Sequence, residues 1–313
     1  MASLRGNRRR PNFSIVLVDL SISRTPRSRS RSFSTPLPSA NMLYKQIPPY
    51  AYYLLSLLPV ATAFMALKTI VTCANQTWEA NVIPASLKFP PISLFGIIDP
   101  PKTIYFYGLG IITPALFLVS ILPISSYMMD QVETEQKDEA WKASWTSAVA
   151  FVGLSIHGLV PLHPSILDVI QGKEVHTGEG TAQSTVHQLA AAVFFMLSMY
   201  HGFTVVWMLW TSNDLPTGYK RSGIVGKISF VVKAIAWVAQ ILPSFSGLLF
   251  HPATLSILGI KGTLDESEKG GLAQWWTVGC LIFFYLTYSL DLLCMGHHLG
   301  QNNDAPSTKS KQN

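Results

Sequence analysis

From about residue 50 onward the chain alternates long apolar runs with short polar stretches. Six runs, at about 50–72, 103–127, 145–165, 185–210, 225–250 and 272–296, are each rich enough in Leu, Ile, Val, Phe, Ala and Gly to read as one helix. A helix crossing the hydrocarbon of a bilayer takes roughly 20 mostly apolar residues, which each run supplies. Helices buried in a soluble core would alternate with amphipathic helices carrying a charged face, and few such stretches appear. The pattern predicts an all-α membrane protein: a bundle of six transmembrane helices over residues 45–298. A basic tail (1–44) precedes it and a polar tail (299–313) follows, with no internal repeat and no separate soluble domain.

Composition points the same way, since only 13% of the 313 residues are charged, against about a quarter in an ordinary soluble protein. Lipid is the expected solvent and membrane lipids the expected partners; no nucleic-acid partner and no cofactor is called for. Two of the three cysteines, Cys280 and Cys294, lie in the last apolar run with Cys73 far away, so neither a disulfide framework nor a zinc site is expected.

The charges fix an orientation. Of 23 Lys and Arg residues, 16 fall in the tails and in the connections after the second and fourth spans. Only Lys88, Lys102, Lys173, Lys261 and Lys269 fall on the other side. The positive-inside rule then puts both termini in the cytoplasm, with Lys220 and Arg221 as cytoplasmic anchors. Asn75-Gln76-Thr77 is a glycosylation sequon on the first non-cytoplasmic loop. Residues 1–40 hold eight Arg and one acidic residue, Asp19. Three readings of this tail stay open: a disordered cytoplasmic arm phosphorylated within RTPRSRSRSFSTP, an organelle transit sequence, or a non-native start of the reading frame.

The stretch FPPISLFGIIDPP, residues 89–101, interrupts the apolar pattern between the first two spans. Pro90, Pro91, Pro100 and Pro101 each fix φ and remove a backbone donor, which forbids a continuous helix. Ile92, Leu94, Phe95, Ile97 and Ile98 are too apolar for a free solvated loop. A re-entrant or interfacial cap over the lumenal ends of the helices is expected, with Gly96 permitting a tight bend; the alternative is a hydrophobic loop resting on headgroups.

Charges within spans call for partners or a route to water. Lys68 and Asp291 lie near span ends and can snorkel. Lys233 sits deeper, and Asp291 is its best candidate counterion in an intramembrane ion pair. His187 and His201, 14 residues apart on one predicted helix, lie within about 40° of one face and about 21 Å apart, the separation of two stacked haems. The matching pair is missing from span three, where His157 and His163 are only six apart. A zinc hydrolase would need three ligands from His157, His187, His251 and Asp168, none of which share the i, i+4 spacing of a metal pair. Pro114, Pro123 and Pro161 are expected to kink spans two and three. Trp78, Trp145, Trp210, Trp275 and Trp276 read as an interfacial aromatic belt. The acidic DQVETEQKDEAWK reads as a short solvated helix extension.

Three segments in register carry a family resemblance. Pro90-x-Ile92-Ser93-x-x-Gly96-x-x-x-Pro100-Pro101, entering the aromatic-rich TIYFYGLG, resembles the first lumenal loop of the FRAG, SFK and damage-regulated autophagy modulator (DRAM) family. VHQLAAAVFF, beginning at Val186, is similar to that family's His-containing helix, and QWWTVGCLIFFYLTYSLDLL resembles its Glu-Trp helix ending in Asp-Leu. The likeness covers about residues 45–298. This chain has Leu94 and Gln274 where members often carry acids, which weakens any acid chemistry there; Asp291 matches. The resemblance implies an endomembrane protein of the Golgi, lysosome or plasma membrane, acting in GPI-anchor lipid remodelling, phosphoinositide and lipid-asymmetry control, or autophagy. The expected function is to bind or organise lipid without catalysis, with Ser93, Gly96, His187 and Asp291 as the lipid or headgroup site. A lipid-remodelling acyltransferase or hydrolase using His187 as base is the alternative, and a haem electron carrier a remote one.

Overall fold

The computed structural model describes residues 43–83, 87–170, 179–212, 223–244 and 247–304. The Arg-rich tail before residue 43, Lys173, the Lys220–Arg221 anchors and the residues after 304 lie outside them. The apolar runs form helices α1 (Ala51–Glu79, with a turn at Ser56), α2 (Pro101–Gln131), α4 (Glu179–Thr211), α5 (Ile224–Ile241) and α6 (Glu268–Gln301). Between α2 and α4 runs α3 (Lys137–Leu159). Among the described residues there is no strand.

Five of these helices, α1, α2, α4, α5 and α6, are long and apolar enough to cross a membrane. Their outer faces are apolar as well: Phe64, Met196, Ile235 and Phe283 are 61–70% exposed, an arrangement water would penalise and lipid would not. The protein is accordingly an integral membrane protein. α3 differs from its expected 145–165 because its first turns carry Lys137, Asp138 and Glu139. The polar DQVETEQKDEAWK thus continues directly into the helix after a 3₁₀ turn at Thr134–Gln136. Pro161 lies beyond the end of α3 and kinks nothing, whereas Pro123 sits inside α2.

Small residues decide how the helices meet. α2 widens to a π-helix over Phe106–Ile112, and Gly110 there crosses Gly158 of α3 so closely that a Cβ on Gly158 would lie 2.4 Å from the Gly110 nitrogen. Gly108 instead leaves room for the Thr69 side chain of α1. Glycines at such positions let neighbouring helices approach closely, the usual basis of helix association in lipid. α3 and α4 pack along most of their length. The middle of the bundle is aromatic, with Phe117 stacked on Phe151 at 3.7 Å and edge-on to Tyr285 at 4.5 Å.

The 89–101 segment packs onto the end of the bundle where α1 ends and α2 and α6 begin. Ile92–Gly96 forms one 3₁₀ turn whose residues are all buried. Phe95 is fully enclosed, with Trp78 and Trp275 rings 5.3 and 5.8 Å away. Its backbone donors and acceptors, which cannot enter a helix, are met by α1 and α6. Thr77 donates to the Phe95 carbonyl (3.2 Å), Trp275 Nε1 to that of Pro90 (3.0 Å), and the Ile92 amide to Gln274 Oε1 (2.8 Å). Glu268 serves twice: one carboxylate oxygen accepts from the Lys88 amide, while the other accepts from the Asp265 amide and closes the capping box that starts the helix. Trp275 is therefore a pin for this segment, unlike the exposed Trp78, Trp145 and Trp210 of the expected belt.

Asn75 lies inside α1 rather than in the loop after it, because the helix continues to Glu79, past the expected end near residue 72. The sequon's Thr77 is fully buried, its hydroxyl shared between the carbonyls of Cys73 (2.7 Å) and Phe95.

Candidate functional site

A cavity of about 600 Å³ opens beneath the 89–101 segment. Ser93 and Leu94 form its roof, His187 and Gln188 of α4 one wall, and Gln240 of α5 and Gln274 of α6 the other. A narrower cleft of about 80 Å³ adjoins it, sharing His157, Ala191, Phe195 and Gln274 and running between Ile70, Phe151 and Leu281 toward the middle of the bundle. The larger space has Ser93, His187, Gln188, Gln240 and Gln274 among its lining, and the narrower cleft is lined almost wholly by apolar surface. That pairing matches a molecule with a polar head and a hydrocarbon tail, and the volume lies in the range of small-molecule sites.

The histidines in this lining come from α3 and α4. The His157 and His187 rings lie 3.9 Å apart, centroid to centroid. His157 Nε2 is 2.7 Å from the Tyr105 hydroxyl, and its Nδ1 3.5 Å from the His187 carbonyl. His187 Nδ1 is 2.7 Å from the carbonyl of Val160. That carbonyl is free to accept because α3 has just ended. His187 Nε2 is buried without a partner, as is Gln240 Nε2.

Of the four residues expected to bind lipid, Ser93 and His187 line this cavity. Gly96 does not; it sits where the 89–101 turn meets the Tyr105 ring, and a Cβ there would lie 2.8 Å from Tyr105 Cγ. Its place is in the packing of the segment, one ring away from the Tyr105–His157 pair. Asp291 is elsewhere, 17 residues along α6 from Gln274 and thus about 25 Å away along that helix. It is only 4% exposed and does not reach water. Its carboxylate accepts from Lys233 Nζ at 2.6 Å and from Ser229 Oγ at 2.7 Å, and Nζ donates to Ser229 Oγ at 2.7 Å. Lys233 Nζ also lies 4.7 Å from the centre of the Tyr288 ring. Lys68, by contrast, is exposed.

The haem and zinc geometries do not form. Both nitrogens of His201 are engaged, with the Ala143 carbonyl (2.8 Å) and the Tyr288 hydroxyl (2.5 Å), so no lone pair is left for iron. His251 instead accepts from the Ala253 amide at an exposed helix start. Among the described residues no three His, Cys, Asp or Glu side chains converge as metal ligands.

Sequence reasoning missed Gln240 as a site residue, weighed His157 only as a zinc or haem ligand, and read Gln274 only as the replacement of an acid. Gln240 carried a signal of its own: it is an amide deep in a mostly apolar span, and a polar residue in lipid marks a pathway or a partner. No protein-family model, no characterised protein and no solved structure matches this chain.

Proposed function

We propose that this protein binds or organises a membrane lipid in the endomembrane system, with the cavity under the 89–101 segment as the lipid site and without catalysis of its own. The observation that carries the reading is the pair of neighbouring spaces that share His157, Ala191, Phe195 and Gln274: one has Ser93 and His187 in its lining, the other is an apolar cleft between α1, α3 and α6. In the same reading α3 is a sixth span. Its 23 residues rise about 34 Å, enough for the hydrocarbon core, and Val149, Val152 and Ile156 face outward. Its hydropathy is low because Gly, Ala and Ser occupy the faces that other helices cover. The excess of Lys and Arg on one side then places both termini in the cytoplasm and the 89–101 segment on the lumenal face. The resemblance to FRAG, SFK and DRAM proteins supports a role in lipid remodelling, trafficking or autophagy-type regulation.

Lipid mass spectrometry on the detergent-purified protein tests this. A defined lipid should co-purify and be depleted in His187→Ala and Ser93→Ala. An unenriched lipid profile, identical in both variants, would refute the site and leave a scaffold. One observation favours the catalytic alternative: His187 Nε2, the atom a general base would use, is unpartnered at the cavity. It has no Ser or Cys hydrogen-bonded to it to activate as a nucleophile. Release of a lipid product by the wild type that stops in His187→Ala would establish that reading instead.

A further inference from the structure

The seam between α4 and α5, away from the 89–101 segment, is lined with aromatic rings. Phe203, Trp207 and Trp210 lie within about 60° of one another around α4, and each is 46–54% exposed on the outer surface. Phe230 and Trp237, seven residues apart, share one side of α5. The rings pair across the seam: Trp210 with Phe230 at 5.8 Å and 24° between planes, Phe203 with Trp237 at 5.6 Å and 43°. Phe203 and Trp207 are within 22° of parallel at 6.4 Å between centroids, a separation at which rings lie offset instead of face on. Trp237 rests against α4 because Gly202 has no side chain; a Cβ there would lie 2.7 Å from its Cδ1. Its Nε1 donates to the Met199 carbonyl at 3.0 Å, which fixes the ring in place.

The two cross-seam pairs set an antiparallel register. Trp207, between 203 and 210, falls opposite Ala234, between 230 and 237, and there the facing side chain is a single half-buried methyl. The seam therefore has a hollow between two ring pairs, with Trp207 as its wall. Interfacial anchoring accounts for rings at helix ends, and Trp210 is one. It does not account for the others. Phe203 is eight residues, about 12 Å, from the end of α4, and Trp237 is thirteen, about 20 Å, from the start of α5, depths at which lipid offers only hydrocarbon. Flexible acyl chains need no such rings: the outer face of α1 is mostly aliphatic, with Leu57, Val60, Leu67 and Val71 exposed. Flat, fixed rings suit a flat, rigid ligand, which has few rotamers to lose on docking. From Trp210 to Phe203 is about 10 Å along α4, the length of a fused four-ring nucleus. We infer that the groove between α4 and α5 binds a sterol, its ring system laid across Phe203, Trp207 and Trp210 and seated in the hollow at Ala234. The groove shares no lining residue with the cavity under the 89–101 segment, so either site can fail without the other.

The test uses full-length protein in phosphatidylcholine nanodiscs and two photoreactive probes at trace level, a cholesterol with a diazirine on its ring system and a phosphatidylcholine with a diazirine in one chain. Cross-linked peptides are then mapped by mass spectrometry. The sterol label should concentrate on the peptides that hold residues 203–210 and 230–237, and excess unlabelled cholesterol should remove it. The phosphatidylcholine probe should label those peptides no more than the peptides of α1. Ala234→Phe, which fills the hollow, and Trp207→Leu, which removes its exposed wall, should each lower sterol labelling about fivefold, the order of one aromatic contact. Trp207→Leu carries the test if Ala234→Phe does not elute as a monodisperse peak. Sterol label spread over the outer helices as evenly as that of phosphatidylcholine, label that excess cholesterol does not compete away, or full labelling of Trp207→Leu overturns the inference. Label confined to the 89–101 segment overturns it as well, since the sterol would then occupy the cavity.

Discussion

Replacing Lys233 tests whether the buried ion pair is held together as one unit. Lys233 is wholly buried and Asp291 nearly so, and Ser229 bridges them. In Lys233→Met the carboxylate keeps one donor, Ser229, and loses the other; in Asp291→Leu the ammonium keeps only Ser229 and the Tyr288 ring face. Breaking a buried pair from one side costs about 3–5 kcal/mol. A ceiling follows from the option of neutralising the orphan. Taking an ordinary carboxyl to its neutral form at pH 7 costs about 4 kcal/mol, and an ordinary ammonium about 5. The double variant Lys233→Met/Asp291→Leu removes both charges, and Ser229 can turn to the Thr287 carbonyl, 3.3 Å away. It should fall within about 1 kcal/mol of the wild type, making the cycle non-additive by at least about 5 kcal/mol. Thermal unfolding in detergent would read the single variants as losses of roughly 6–20 °C, at the about 2–4 °C per kcal/mol of domains of 150–250 residues. A double variant that loses the sum of the two singles, or singles that lose under about 1 kcal/mol, would refute the coupled unit.

Three further outcomes follow. Gln274→Leu strands the buried Ile92 amide and should cost about 1–3 kcal/mol in the same unfolding assay; no loss would show that the amide is satisfied some other way. Gly158→Leu must push α3 off the α2 backbone and should cost more than about 2 kcal/mol or abolish the monodisperse peak in size-exclusion chromatography, while Gly279→Ala, with nothing within 4 Å of the added methyl, should be silent. Asn75 should carry no glycan despite its sequon, because Thr77 is buried in α1 and hydrogen-bonded to two carbonyls; a mobility shift on endoglycosidase treatment would contradict this.

The sequence by itself determined the solvent and the building blocks. Runs of about twenty apolar residues with few charges can only be long helices facing lipid, and five of them are. Proline pairs at 90–91 and 100–101 likewise forbid a continuous helix wherever they are placed, and the apolar residues between them had to be buried. Even the Lys233–Asp291 pair was legible, since a deep cation in a span needs an anion and only one suitable carboxylate was near. Tertiary structure decided which faces meet. The stacking of His157 on His187, the closure of the cavity by Gln240 and Gln274, and the distance of Asp291 from Ser93 depend on how α3, α4, α5 and α6 cross. Helical periodicity gives the angle of each residue around its own axis and says nothing of the neighbour it turns toward. Those crossings are set by single close approaches such as Gly110 against Gly158. A glycine in sequence announces room without saying which backbone will fill it, so the polar lining of the cavity became visible only once the helices were packed.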